Sequence, residues 1–186
     1  MVRWQKQELK LREKHGWRSK PGYSIFVADR GAVRFDIPQD WVVVPEEGPV
    51  KICDKQPPDD NCCIQLSIFY LPPGIDWTGL PLAGMLADAT RDDGEDEDVL
   101  AKSEVVHVVR TDLEIAWRET RFLDKEQKRE AISRSAVARG SDIQPLITFE
   151  FWVDDASRLY PVWDELLRSL RLGDFVDDAT LGPVMN

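Results

Sequence analysis

Leu146-Ile147-Thr148-Phe149-Glu150-Phe151-Trp152-Val153 carries apolar side chains at every odd position, while its even positions are mixed. Side chains alternate across a strand, so this segment predicts a strand with one fully apolar face. After Asp154-Asp155 the period changes. Leu159, Val162, Trp163, Leu166, Leu167 and Leu170 recur at three- and four-residue steps, the stripe of an amphipathic helix. Arg158, Asp164, Glu165, Arg168 and Arg171 fall outside that stripe. Asp154 and Asp155 are expected to cap the helix, Pro161 to sit near its first turn, and Gly173 to end it. A strand followed by such a helix predicts a sheet with the helix laid across it.

The preceding sequence supplies the rest of that sheet. Ser103 to Arg110, Leu113 to Leu123 and Arg129 to Ala138 read as strands joined by short connections, which implies an antiparallel meander with Leu146 to Val153 as its fourth strand. Cys62 to Leu71 is a further strand, with Cys62, Ile64, Leu66, Ile68 and Tyr70 on the core side. Tyr23 to Ala28 and Ala32 to Ile37, split by Asp29-Arg30-Gly31, predict a hairpin. Val42 to Val44 is a short strand, Glu46 to Asn61 a loop, and Leu80 to Arg91 a weaker helix striped by Leu82, Met85, Leu86 and Ala89. The order predicts an α+β fold, an antiparallel sheet flanked by helices. Three regions follow: a basic extension over 1–22, one sandwich domain over 23–176, and a tail over 177–186.

The chain has 186 residues, of which 42% are hydrophobic, so one packed domain needs no staples. Cys53, Cys62 and Cys63 make no disulfide framework, and reduced thiols in the cytoplasm are expected. The N-terminus has no apolar signal core, and no stretch reaches a membrane-spanning length. The net charge is -10. Residues 1–20 carry seven Lys or Arg against two Glu, so the body is more acidic still. An acidic body repels nucleic-acid phosphates and anionic membranes, which excludes both as main partners.

Motifs for chemistry are missing. There is no Gly-rich phosphate loop, no Gly-x-Ser-x-Gly elbow and no His-Glu-x-x-His pair. Adjacent Cys62 and Cys63 point to opposite faces of a strand and cannot readily grip one ion with Cys53. With Gly94 as the sixth residue of a calcium loop, three of the four side-chain ligand positions fail, since Ala89, Arg91 and Leu100 occupy them. His107, within Val105-Val106-His107-Val108-Val109, reads as structural, and His15 as a helix-end residue in the arm. No catalytic residue, metal ligand or cofactor is expected.

Val33-Arg34-Phe35-Asp36-Ile37-Pro38-Gln39-Asp40-Trp41, the order helix then meander, and Phe149-Glu150-Phe151 leading to Leu166-Leu167-Arg168-Ser169-Leu170-Arg171-Leu172 together resemble the PsbP-like superfamily of α/β/α sandwiches. The resemblance covers roughly residues 23 to 173. That group includes photosystem II PsbP, a eukaryotic Ran-binding protein, bacterial lipoproteins and secretion-effector chaperones. The resemblance implies a non-enzymatic module that binds other proteins, and it brings no catalytic set. Secreted members carry a leader or lipid anchor, which this chain is not expected to have.

The leading expectation is therefore a cytoplasmic protein-interaction module, an adaptor or chaperone-like partner. Its candidate surface is the arm (Arg3, Trp4, Lys6, Lys10, Arg12, Trp17), with Trp77 in a Pro/Gly-bounded loop beside it, since Trp and Arg are common interface anchors. The alternatives are a small-ligand binder or unrecognised enzyme, with Arg118, Arg134 and Glu150 around a pocket between sheet and helix, and a homo-dimer paired through the meander.

Overall fold

The computed structural model describes residues 5–44, 48–77, 79–90 and 98–182. In chain order the elements are β1 (Tyr23–Ala28), β2 (Val33–Pro38), β3 (Val42–Val44), β4 (Val50–Cys53), β5 (Cys62–Tyr70), α1 (Leu82–Ala89), β6 (Val99–Lys102), β7 (Val106–Val109), β8 (Glu114–Asp124), β9 (Arg129–Arg139), β10 (Ile143–Trp152), α2 (Ala156–Ser169) and β11 (Arg171–Leu172). The large sheet runs β3-β4-β5-β10-β9-β8-β6, and β7 also pairs with β8. All its pairings are antiparallel.

The alternation in β10 works as its residues predict. Ile147, Phe149 and Phe151 are buried beneath α2, whose own stripe of Leu159, Val162, Trp163 and Leu166 faces them. Leu146 points the other way and packs with Val137, Ala116 and the α1 residues Leu82, Met85 and Leu86. The large sheet thus has α1 on one face and α2 on the other.

The hairpin departs from a single-sheet reading. β1 and β2 pair from Tyr23↔Pro38 to Ala28↔Val33 and form their own three-stranded sheet with β11. After α2 the chain turns back and sets Arg171 opposite Arg34 and Leu172 opposite Val33. Phe26, Val33, Phe35 and Ile37 then join α2 over the large sheet. Gly31 makes this return possible. Its φ is +103°, and a Cβ there would lie 2.1 Å from the Asp174 carbonyl oxygen, so only glycine fits.

Several local expectations are corrected. β4 lies in the stretch expected to be all loop, because Val50, Ile52 and Cys53 bury against β5. The strand expected over Ser103 to Arg110 is shortened to β7, and a strand that was not expected, β6, precedes it, both lying along β8. Asp155 occupies the N-cap of α2, but its side chain makes no capping bond. Asp154 and Asp155 instead pair with Arg129 and Arg158 at 3.0 and 3.3 Å. Pro161 lies inside α2 rather than in its first turn. Residues 5–14 form no helix, consistent with a thin apolar stripe that has nothing to pack on. The acidic run 92–97 lies outside the described residues.

The cysteines are the clearest correction. Cys53 and Cys63 face each other across β4 and β5 and are joined by a disulfide, while Cys62, on the opposite face of the strand, is free and buried. An odd cysteine count did not rule out one bridge, because strand register rather than sequence spacing brought the pair together. Burial, with the Asp54 carboxylate next to it, pushes the Cys62 thiol up to about 12. Cys62 is therefore expected to resist alkylation in native protein at neutral to mildly alkaline pH. Denatured, unreduced protein should take up one label and reduced protein three, read by intact mass. Native labelling of Cys62, or three labels without reductant, would contradict this arrangement. The cross-link closes a short loop, and its loss should cost about 2–3 kcal/mol.

Candidate interaction surface

The arm holds less of the expected site than its composition promised. Arg3 and Trp4 lie outside the described residues. Lys6 pairs with Glu8 at 2.8 Å, and Lys10 and Arg12 are exposed. Trp17 is buried, with the Arg34 guanidinium 4.5 Å from its ring centre, so it serves the core and cannot act as an exposed anchor. His15 is buried too, not at a helix end. Its Nε2–H donates to the Ala179 carbonyl at 2.8 Å, and its Nδ1 accepts the Trp17 amide at 3.0 Å. The Arg12 amide donates to the Thr180 carbonyl. Hydrogen bonds from Thr180, then the charge of Arg12, hold the Asp178 carboxyl below its ordinary range. The basic arm therefore lies on the chain's own C-terminal segment. Trp77 is half-buried, and its indole N–H donates to the Pro72 carbonyl at 3.4 Å.

The alternative pocket does not assemble either. Arg134 is on the α2 face, where its Nε donates to Glu119 at 2.7 Å and its guanidinium lies 4.0 Å from the Tyr160 ring centre. Glu150 meets Ser133 on the opposite face, and Arg118 donates to the Ser103 carbonyl. Between the sheet and α2, Phe149 and Trp163 stack with ring centres 6.3 Å apart, which fills the interface. Cys53, Asp60 and Cys63 bring their ligand atoms within 4.8 Å of one another, but sulfurs joined in a disulfide are not thiolate ligands. His107 is half-exposed, with Nε2 3.5 Å from Glu114.

A different surface gathers exposed apolar groups and cations. Val106, Val108 and Val109 are 41%, 38% and 72% exposed on β7, which pairs with β8 alone among the described strands. The Arg110 amide donates to the Leu113 carbonyl and closes the hairpin through Thr111 and Asp112. Antiparallel alternation from that bond places the backbone groups of Val106 and Val108 toward β8, and those of His107 and Val109 on the outer edge. Soluble proteins usually blunt such an edge with Lys or Pro, and Val106-His107-Val108-Val109 has neither.

Beside this edge is a groove of about 770 Å³, lined by Val108, Arg110, Asp112, Leu167, Arg168 and Arg171 among others. Strand β7 supplies Val108, the hairpin supplies Arg110 and Asp112, and the end of α2 with the start of β11 supplies the rest. Arg110 and Arg171 donate to the carbonyls of Leu167, and of Arg168 and Leu170, which suits the negative end of a helix. Burial pushes the Asp112 carboxyl up, but hydrogen bonds and charge from Arg110, with Arg171 behind, outweigh it and leave it below the ordinary range. Burial and then the charge of Arg110 lower Arg171 below its ordinary value. Three guanidinium groups thus share the groove wall with one carboxylate, on a protein of net charge -10.

A large antiparallel sheet with one helix on one face, and a second helix beside a small sheet on the other, is the PsbP-like fold. The solution structure of cyanobacterial PsbP (CyanoP) from Synechocystis sp. PCC 6803 superposes with a TM-score of 0.55 at 12% identity, covering 84% of this chain and 96% of that one. A crystal structure from Bacteroides thetaiotaomicron VPI-5482 superposes at 0.56 and 12% identity, over 81% of this chain and 48% of that one. Within this fold the chain belongs to the Alr1449 family, whose pattern matches residues 24–176. It is 46% identical to the uncharacterized protein alr1449 of Nostoc sp. (strain PCC 7120 / SAG 25.82 / UTEX 2576) over 182 residues, 97% of this chain and 93% of that protein. No helix among the described residues is long and apolar enough to cross a membrane.

Proposed function

We propose that this chain is a non-enzymatic protein-interaction module that binds another protein through the outer edge of β7. The observation that carries this is the open, apolar β7 edge. Unpaired strand edges are templates for another chain, and strand addition is a recurring mode of peptide recognition. The charged groups inside the sandwich fit the same reading, since Arg134 and Arg139 are engaged by Glu119 and Glu114. The basic arm over 5–14 is a secondary contact at most, because its inner end is folded onto the tail. The compartment is a separate matter. The Cys53–Cys63 disulfide favours an oxidising one over the cytoplasm.

Val109→Pro tests the surface. The Val109 N–H points outward, so proline there leaves the β8 pairing intact and blocks an added strand. Native protein, Val109→Pro, and a chain lacking residues 1–10 would be used as bait for cross-linking capture from native lysate at low and moderate salt. The expected result is a stoichiometric partner held by the native and shortened chains and lost from Val109→Pro. A partner lost only with residues 1–10 would return the surface to the arm, and no partner at all would end the reading.

A further inference from the structure

The β7 edge and the arginine-lined groove are continuous, and this continuity defines the partner's chemistry. Resting on the interaction reading above, we propose that the occupant is an extended segment of another protein that adds as a strand to β7 and places a carboxylate in the groove formed by Arg110, Arg168 and Arg171.

Three features support this. First, Val108 belongs to both surfaces. It lines the groove and lies in β7, with its side chain on the same side as Ile115 and Trp117. A strand laid outside β7 therefore runs past the groove mouth. Second, the groove is cationic on an anionic molecule. Arg168 has an exposed side chain at the last turn of α2; its Nε donates to Glu165 at 3.0 Å and one terminal nitrogen pairs with the same carboxylate, so its other terminal nitrogen is the one that faces an incoming oxygen. Arg171 Nε is 3.8 Å from Asp112, a distance at which that pairing leaves donors for an incoming oxygen. Guanidinium groups bind carboxylates in a planar, two-point manner, which an ammonium group does not reproduce. Third, the acidic body outside the basic arm repels acidic partners at long range, so a basic groove next to an open edge favours the place and register in which such a segment lands.

A second copy of this chain, paired β7 to β7 in antiparallel fashion about a twofold axis, is the competing occupant, and light scattering separates it from a foreign strand. Val106 and Val108 suit small or β-branched residues on one face of the added strand, and the groove suits an acidic side chain or a free C-terminus at the strand's end near Arg110.

The test uses three dye-labelled peptides of alternating valine and threonine, ending in amidated glutamate, glutamine or lysine. Fluorescence anisotropy against the full chain is read at low salt. The glutamate peptide should bind about tenfold more tightly than the glutamine peptide, and the lysine peptide more weakly than either. In Arg168→Gln/Arg171→Gln this preference should vanish, while in Lys10→Gln it should persist. Thermal melts establish that both variants are folded. Hydrogen exchange with the glutamate peptide should slow the His107 and Val109 amides. Equal affinity for the three peptides, or a preference unchanged in the arginine variant, would overturn the carboxylate proposal and leave the β7 reading to the Val109→Pro capture. No binding by any peptide, protection elsewhere with β7 unchanged, or dimers by light scattering that Val109→Pro dissociates would also overturn it.

Discussion

Replacing Trp163 with alanine should lower the unfolding free energy by about 3–5 kcal/mol, enough to leave little folded protein in a domain of ordinary stability. Trp163 is fully buried on α2. Its ring stacks on Phe149 of β10 and meets Trp117 of β8 edge-on, with centres 5.9 Å apart. It therefore joins the helix to two strands of the large sheet at once. Trp163→Phe keeps a ring in that gap and should lose markedly less. Trp152, half-buried on the other face with Arg129 stacked on it at 4.8 Å, is the control, and Trp152→Ala should cost about 1 kcal/mol. Denaturant titrations followed by far-ultraviolet circular dichroism check the order. Similar losses at Trp163 and Trp152 would show that α2 does not hold the sheet as described.

Arg134→Met should be similarly damaging, by about 3 kcal/mol, for a different reason. Arg134 is 8% exposed, bonded to Glu119 and held between the Trp117 and Tyr160 rings. Tyr160 also donates to Glu119 at 3.4 Å, and burial followed by the Glu119 charge raises its phenol above the ordinary value. Removing the cation leaves a carboxylate in a site that no longer solvates it. The double variant Glu119→Gln/Arg134→Met should recover most of the loss, since a buried pair is worth little net once both charges are gone. A double-mutant cycle by chemical denaturation should return a coupling of about 1–3 kcal/mol. Additive losses would mean that Arg134 acts through its aromatic packing alone.

Much of the fold was legible because periodicity and burial agree where segments are long. The odd positions of β10, the stripe of α2 and the first even positions of β5 (Cys62, Ile64 and Leu66) fall where their patterns place them, while Tyr70, expected on the core side, is exposed where β5 runs out of the core; the PsbP-like architecture follows from their order. Of the shorter elements, β3 was legible at its observed bounds, but β4 and β11 were not. β4 is four residues in a stretch crowded with Pro, Gly and Asp, and only its pairing with β5 makes it a strand. β11 has two residues and is a strand only because Gly31 and Gly173 let the chain return beside β2.

The interaction surface was less legible than the fold. Trp17 read as an anchor because a basic flank usually stays in solvent, yet stacking beneath Arg34 and the contact of His15 with Ala179 draw it inward. Arg110, Arg168 and Arg171 each had an ordinary reading, one at a strand end and two near a helix terminus. Their convergence depends on where the β7–β8 hairpin meets the end of α2, which no local pattern encodes. The one local signal was the Val105-Val106-His107-Val108-Val109 run, too apolar on both faces for an edge strand. It was read for its histidine rather than for its valines.

The most direct test of the account is hydrogen exchange at single residues in β7, with the full chain alone and with its captured partner. If β7 is an open binding edge, the His107 and Val109 amides exchange rapidly in the free protein, the Val106 and Val108 amides slowly, and all four are protected in the complex. If His107 and Val109 are already protected in the free chain, or stay fast while protection appears on the arm or under α1, β7 is not the surface this protein uses.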